Sequence, residues 1–100
     1  MSEPAFISPR QSDDARRRKC LYRAWHRGTR EMDLIMGPFA EAHLTGMSET
    51  DLTDFESLID VPDRELFSWI SGSEAIPAPY DLPVLQNMIA FHHHKAAIHR

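Results

Sequence analysis

Between Asp13 and His92 every sustained apolar pattern has a helical period, and no run alternates apolar and polar residues long enough to make a strand. Met32, Ile35, Met36, Phe39, Ala40 and His43 recur at helical spacing. So do Leu52, Phe55, Leu58 and Ile59, and again Val84, Leu85, Met88, Ile89 and His92. Gly28, Gly46, Pro62, Gly72, Pro77 and Pro79 cut these patterns into short pieces. Short amphipathic helices bury their stripes only against one another. The expected fold is therefore all-α, a compact bundle of about five short helices.

Local signals set the expected boundaries. The first helix should run from Asp13 to about Arg27, with Ser12 as its cap and Asp13 and Asp14 complementing its dipole. Gly28 suits the left-handed residue past its end. Leu21, Tyr22 and Trp25 form its apolar face, and the opposite face is arginine. The second helix should start at Thr29 or Arg30 and reach about His43, kinked or broken where Pro38 cannot donate to the Leu34 carbonyl. Leu44 to Met47 reads as a connector. Ser48 caps the third helix, which stops at Val61-Pro62. Asp63 is expected to cap a short fourth helix carrying Leu66, Phe67, Trp69 and Ile70, closed by Gly72. After an exposed loop over residues 73–80, the fifth helix starts at Asp81 or Leu82 with Pro83 in its first turn. Residues 1–11 read as a flexible arm, 12–92 as a single helical domain, and 93–100 as a frayed His-rich tail. Trp25 and Trp69 read as core residues, with a partner anchor as the other option.

One hundred residues make one domain with one modest core. No charge-free stretch is long enough to span a bilayer, and the first residues lack the apolar region of a secretory signal. The single cysteine, Cys20, excludes an internal disulfide and fits a reducing compartment. The net charge of −4 hides a sharp asymmetry. Residues 16–30 hold seven of the eleven Lys and Arg and no acid, whereas residues 31–65 hold ten of the fifteen acids and one base, Arg64. One basic element faces an acidic remainder.

Enzymatic chemistry finds little support. Cys20 has basic neighbours but no acid–base partner at a defined spacing, and a small buried thiol is the simpler reading. His92, His93 and His94 are consecutive and point about 100° apart on a helix, so they do not converge on one metal ion. The glycine-rich phosphate loops GxGxxG and GxxxxGK are absent, so tight nucleotide binding is not expected. The basic segment RRRKCLYRAWHRGTR leaves three readings open: a solvated amphipathic face, a dock for an acidic protein, or a nucleic-acid contact through arginines interleaved with aromatics.

The order of features narrows these readings. The turn RGTRE holds Arg27, Gly28 and Glu31, and Glu31-Met32-Asp33-Leu34 opens the second helix. The fourth helix carries Pro62, Asp63, Leu66, Phe67, Trp69 and Ile70 as a Pro-Asp-x-x-Leu-Phe-x-Trp-Ile pattern. Together these resemble the succinate dehydrogenase assembly factor 2 family, called SdhE in bacteria, over about residues 13–90. The resemblance implies a non-enzymatic helical protein that binds the flavoprotein subunit of succinate dehydrogenase, and in some bacteria that of fumarate reductase. It implies that the protein promotes covalent attachment of FAD to a histidine of that subunit, and that it holds no tightly bound cofactor of its own. It places partner contacts at Arg27, Gly28, Glu31 and Asp33. Arg16, Arg17, Arg18, Lys19, Arg23 and Arg30 would then steer and hold an acidic partner surface. A monomer in the bacterial cytoplasm is expected, with the mitochondrial matrix as the compartment only if a transit peptide is missing from this chain. A nucleic-acid-binding helical protein is the alternative.

Overall fold

The computed structural model of the chain describes residues 9–98. It contains α1 (Pro9–Trp25), α2 (Arg30–His43), a 3-10 turn (Leu44–Gly46), α3 (Glu49–Ile59), α4 (Asp63–Ser71), a second 3-10 turn (Ala78–Tyr80) and α5 (Pro83–Ile98). Among the described residues there is no strand, and the all-α expectation holds.

α1 packs on α2 and α3, and α5 packs on the same two helices. The stripes read from the sequence converge here. Met32, Met36 and Phe39 of α2 meet Leu52, Phe55 and Leu58 of α3, Leu66 and Ile70 of α4, and Val84, Leu85 and Met88 of α5, all fully buried. The Phe39 and Phe55 rings lie 6.0 Å apart, and Phe91 of α5 meets Phe39 edge-on at 5.7 Å. Trp69 is buried and packs against Tyr80, which ties the 73–80 loop to the core.

Local signals worked where their partners are local. Thr29 caps α2 by accepting from the Met32 amide, and Ser48 caps α3 by accepting from the Asp51 amide. Gly72 ends α4 with φ of 84°.

Several expectations are corrected. α1 starts at Pro9, which needs no amide at a helix start, so Ser12 lies inside the helix and is not its cap. Asp13 and Asp14 lie beyond the first turn, and Asp13 instead accepts from Arg17 one turn on. Of the expected arm, residues 9–11 are helical and residues 1–8 lie outside the described residues. α1 ends at Trp25, and Gly28 does not have positive φ. Tyr22 leaves the apolar face and is 63% exposed, stacked on His26 at 3.9 Å, because Cys20 and Ala24 form the buried row of α1. Pro38 sits inside α2 without breaking it. Asp63 makes no cap for α4. α5 continues through the expected frayed segment to Ile98, since no Gly or Pro interrupts it after Pro83, while residues 99–100 lie outside the described residues.

Candidate functional site

The RGTRE turn is short, and its geometry comes from a second turn far away in sequence. α3 ends at Ile59 with carbonyls that have no partner within the helix. Arg27 reaches across and supplies it. One guanidinium nitrogen donates to the Ile59 carbonyl at 2.5 Å and another to the Val61 carbonyl at 2.6 Å. Its Nε donates to Asp63 Oδ1 at 2.7 Å. The planar fork matches a carboxylate and two carbonyls at once, as a lysine could not. The pair is partly buried, with side-chain exposures of 7% for Arg27 and 15% for Asp63.

Two backbone amides of the turn are also satisfied. The Arg27 amide donates to Asp33 Oδ1 at 2.5 Å. The Thr29 amide donates to Asp63 Oδ2 at 2.9 Å. A Cβ on Gly28 would lie 3.2 Å from that same oxygen, so the glycine answers a close approach and not a left-handed φ. Gly28, Thr29, Arg30 and Glu31 remain exposed on the outer surface.

Two hollows flank the turn. One, of about 380 Å³, is lined by Arg23, His26, Arg27, Gly28, Thr29, Pro62 and Asp63. The other is lined by Thr29, Glu31, Met32, Asp63, Arg64 and Phe67. Thr29 and Asp63 belong to both and form the ridge between them. His26 donates from Nδ1 to the Tyr22 carbonyl at 2.7 Å, which leaves the other ring nitrogen on the far side of that contact.

The structure brings Arg27, Gly28, Thr29 and Asp63 together, with Arg30 and Glu31 at the outer edge. The partner contact expected at Arg27 meets a different use: the carboxylate and carbonyls its guanidinium engages belong to this chain. Arg27 pairs with Asp63 and not with Glu31. Asp33 faces the Arg27 amide. The other basic residues divide. Arg16 donates to Glu49 at 2.6 Å and to Glu56 at 2.7 Å, and those carboxylates hold its guanidinium charged well above its usual range. Arg17 donates to Asp13 and to the carbonyls of Leu44, Thr45 and Met47. Arg23 donates to Asp60 at 3.0 Å. Arg18, Lys19 and Arg30 are exposed and make no ion pair among the described residues. The arginine-rich face is thus largely internal wiring, which weakens the nucleic-acid reading, since few of its charges are free to meet phosphates.

Cys20 is 3% exposed, and burial first, then the Glu56 charge, pushes its thiol up despite Arg16, Arg23 and Arg17 nearby. Among the described residues, no three His, Cys, Asp or Glu side chains are grouped to hold a metal ion, and no helix is long and apolar enough to cross a membrane.

Sequence reading missed Asp63 as part of this site. It took the residue as a helix cap, and the only signal for another role was the Pro-Asp pattern itself. Gly37 was also missed. The Trp25 indole lies over it, with ring carbons 2.3 to 2.5 Å from where a Cβ would stand.

Comparison with known proteins covers this region. A family model described as flavinator of succinate dehydrogenase matches residues 18–92. The FAD assembly factor SdhE of Acetobacter pasteurianus is 41% identical over 75 residues, which is 75% of this chain and 69% of that protein. The mitochondrial succinate dehydrogenase assembly factor 2 of Dictyostelium discoideum is 34% identical over 79% of this chain and 55% of its own length. That of Caenorhabditis elegans is 37% identical over 69% of this chain and 60% of its own length. The chain therefore spans a little over half of these two mitochondrial relatives.

Proposed function

The chain belongs to the family of flavinators of succinate dehydrogenase, and from that premise we propose that it is an assembly factor that binds the flavoprotein subunit of succinate dehydrogenase and promotes covalent attachment of FAD. The observation that carries this reading is the family match over residues 18–92, which contains the whole turn and the Arg27–Asp63 pair beneath it.

The role is that of a chaperone and not of a catalyst. FAD stays with the flavoprotein, and this chain holds no cofactor of its own. A binder accelerates such a reaction by preferring the flavin-loaded, pre-reaction arrangement of its partner. The population of that arrangement rises only by the difference in affinity between the two states. A rigid turn suits this task, because little ordering entropy is lost when the partner docks. The exposed Gly28, Arg30 and Glu31 form the contact edge. The flavoprotein of fumarate reductase is a second client of the same kind, and the free protein acts as a monomer in the bacterial cytoplasm.

The test is co-expression of the flavoprotein subunit with and without this protein, followed by in-gel fluorescence of covalent flavin. Strong fluorescence only with the protein present is expected. Equal flavin loading in its absence would remove the reading.

A further inference from the structure

We propose that Asp63 is a positioning residue for partner docking: its carboxylate holds the RGTRE turn in its binding shape from beneath. This rests on the reading above, in which the turn meets the flavoprotein. Both carboxylate oxygens are committed to the turn, Oδ1 to Arg27 Nε at 2.7 Å and Oδ2 to the Thr29 amide at 2.9 Å. These bonds cross 36 and 34 residues of sequence. An aspartate at the first position of a helix commonly serves that helix, yet α4 has no side-chain cap. The same carboxylate occupies the space beside Gly28, where a Cβ would come within 3.2 Å of it.

Three residues of the turn therefore depend on one carboxylate. Arg27 is oriented by it, Thr29 has its amide satisfied by it, and Gly28 owes its lack of a side chain to it. Arg27 is 7% exposed and already engages the carboxylate and two carbonyls, so it acts on a partner through the turn it braces. Asp63 transmits the position of the α3–α4 corner to the docking edge on the far side.

Affinity for the purified flavoprotein subunit is measured for the wild type, Asp63→Asn, Arg27→Lys and the double variant, with circular dichroism confirming that each is folded. Each single change is expected to weaken binding by about tenfold, and the double variant is expected to bind no worse than the weaker single, because both act through one contact. Multiplied effects would place Arg27 on the partner independently and overturn the proposal. So would wild-type affinity for folded Asp63→Asn. Should Arg27→Lys fail to fold, hydrogen exchange at the Thr29 amide decides. Faster exchange in Asp63→Asn together with weaker binding supports positioning, and faster exchange with unchanged binding overturns it. Leu85→Ala, a core change away from the turn, lowers stability and leaves the affinity of folded protein unchanged. Flavin loading separates the two readings. If wild-type protein does not raise covalent flavin, the assembly-factor reading fails. If the wild type and Asp63→Asn raise it equally, positioning alone fails.

Discussion

Gly37 is where one missing methyl matters most to the packing of α1 on α2. Three atoms of the Trp25 indole lie within 2.5 Å of the place a Cβ would occupy, and the indole nitrogen donates to Glu41 at 3.0 Å. A rigid bicyclic ring held by that bond cannot shift cheaply. Gly37→Ala gains about 1 kcal/mol of helix propensity but should lose about 2–3 kcal/mol to overpacking, a net destabilisation of about 1–2 kcal/mol. Gly46 is the control, since a Cβ there meets nothing within 4 Å. Gly46→Ala should stay within about 0.5 kcal/mol of wild type. Urea denaturation followed by tryptophan fluorescence distinguishes the two, and equal stabilities would refute the packing argument. Cys20 supplies a second residue-scale expectation. Burial favours its protonated thiol, so the stability linked to it is fully present at neutral pH and declines as pH rises past the usual thiol range. Folded protein should resist iodoacetamide at mildly alkaline pH and label quickly in urea, as read by mass spectrometry. Rapid labelling of the native state would contradict the burial.

At the scale of elements, the Ser48 cap of α3 and the Gly72 stop of α4 were legible because each depends on residues three positions apart, Ser48 with Asp51 and Gly72 with Trp69. The role of Asp63 was not legible for the opposite reason. Its deciding contacts lie 36 and 34 residues away, and propensity alone cannot choose between a cap and a long-range brace. Arg17 shows the same physics. Its guanidinium donates to the carbonyls of Leu44, Thr45 and Met47, where α2 runs out into the 3-10 turn. Arg17→Ala leaves the partly buried Met47 carbonyl without this donor and should cost about 1–3 kcal/mol. The loss should appear as faster amide hydrogen exchange in α1 and residues 44–47, with α5 protected as before. A uniform rise across all helices would instead mean that α1 and this turn do not open separately.

For the whole molecule, the separation of charge along the chain first suggests a bipolar surface, with a basic face turned to an acidic partner. Folding cancels much of it. Arg16, Arg23 and Arg27 pair with Glu49, Glu56, Asp60 and Asp63 of the acidic segment, and Arg17 pairs with Asp13 of α1 itself, so much of the basic charge is neutralised within the same domain. The basic run was legible in the sequence, but its internal use was not, because pairing depends on which helix faces α1. What is left of the basic run for steering is Arg18, Lys19 and Arg30, all exposed. Exposed charges act mainly on the association rate, and screening by salt weakens them beyond a Debye length of about 8–10 Å. Neutralising Arg18, Lys19 and Arg30 together, each as Gln, should therefore slow association with the flavoprotein subunit and flatten its dependence on salt. Thermal stability should stay near wild type. Arg16→Gln should behave in the opposite way, lowering the melting temperature while leaving the salt dependence of association intact. Stopped-flow association across a salt series, with melting curves on the same samples, checks both. If Arg16→Gln flattens the salt dependence as much as the triple variant does, the paired arginines also contribute to the long-range field, and the division between wiring and steering is wrong.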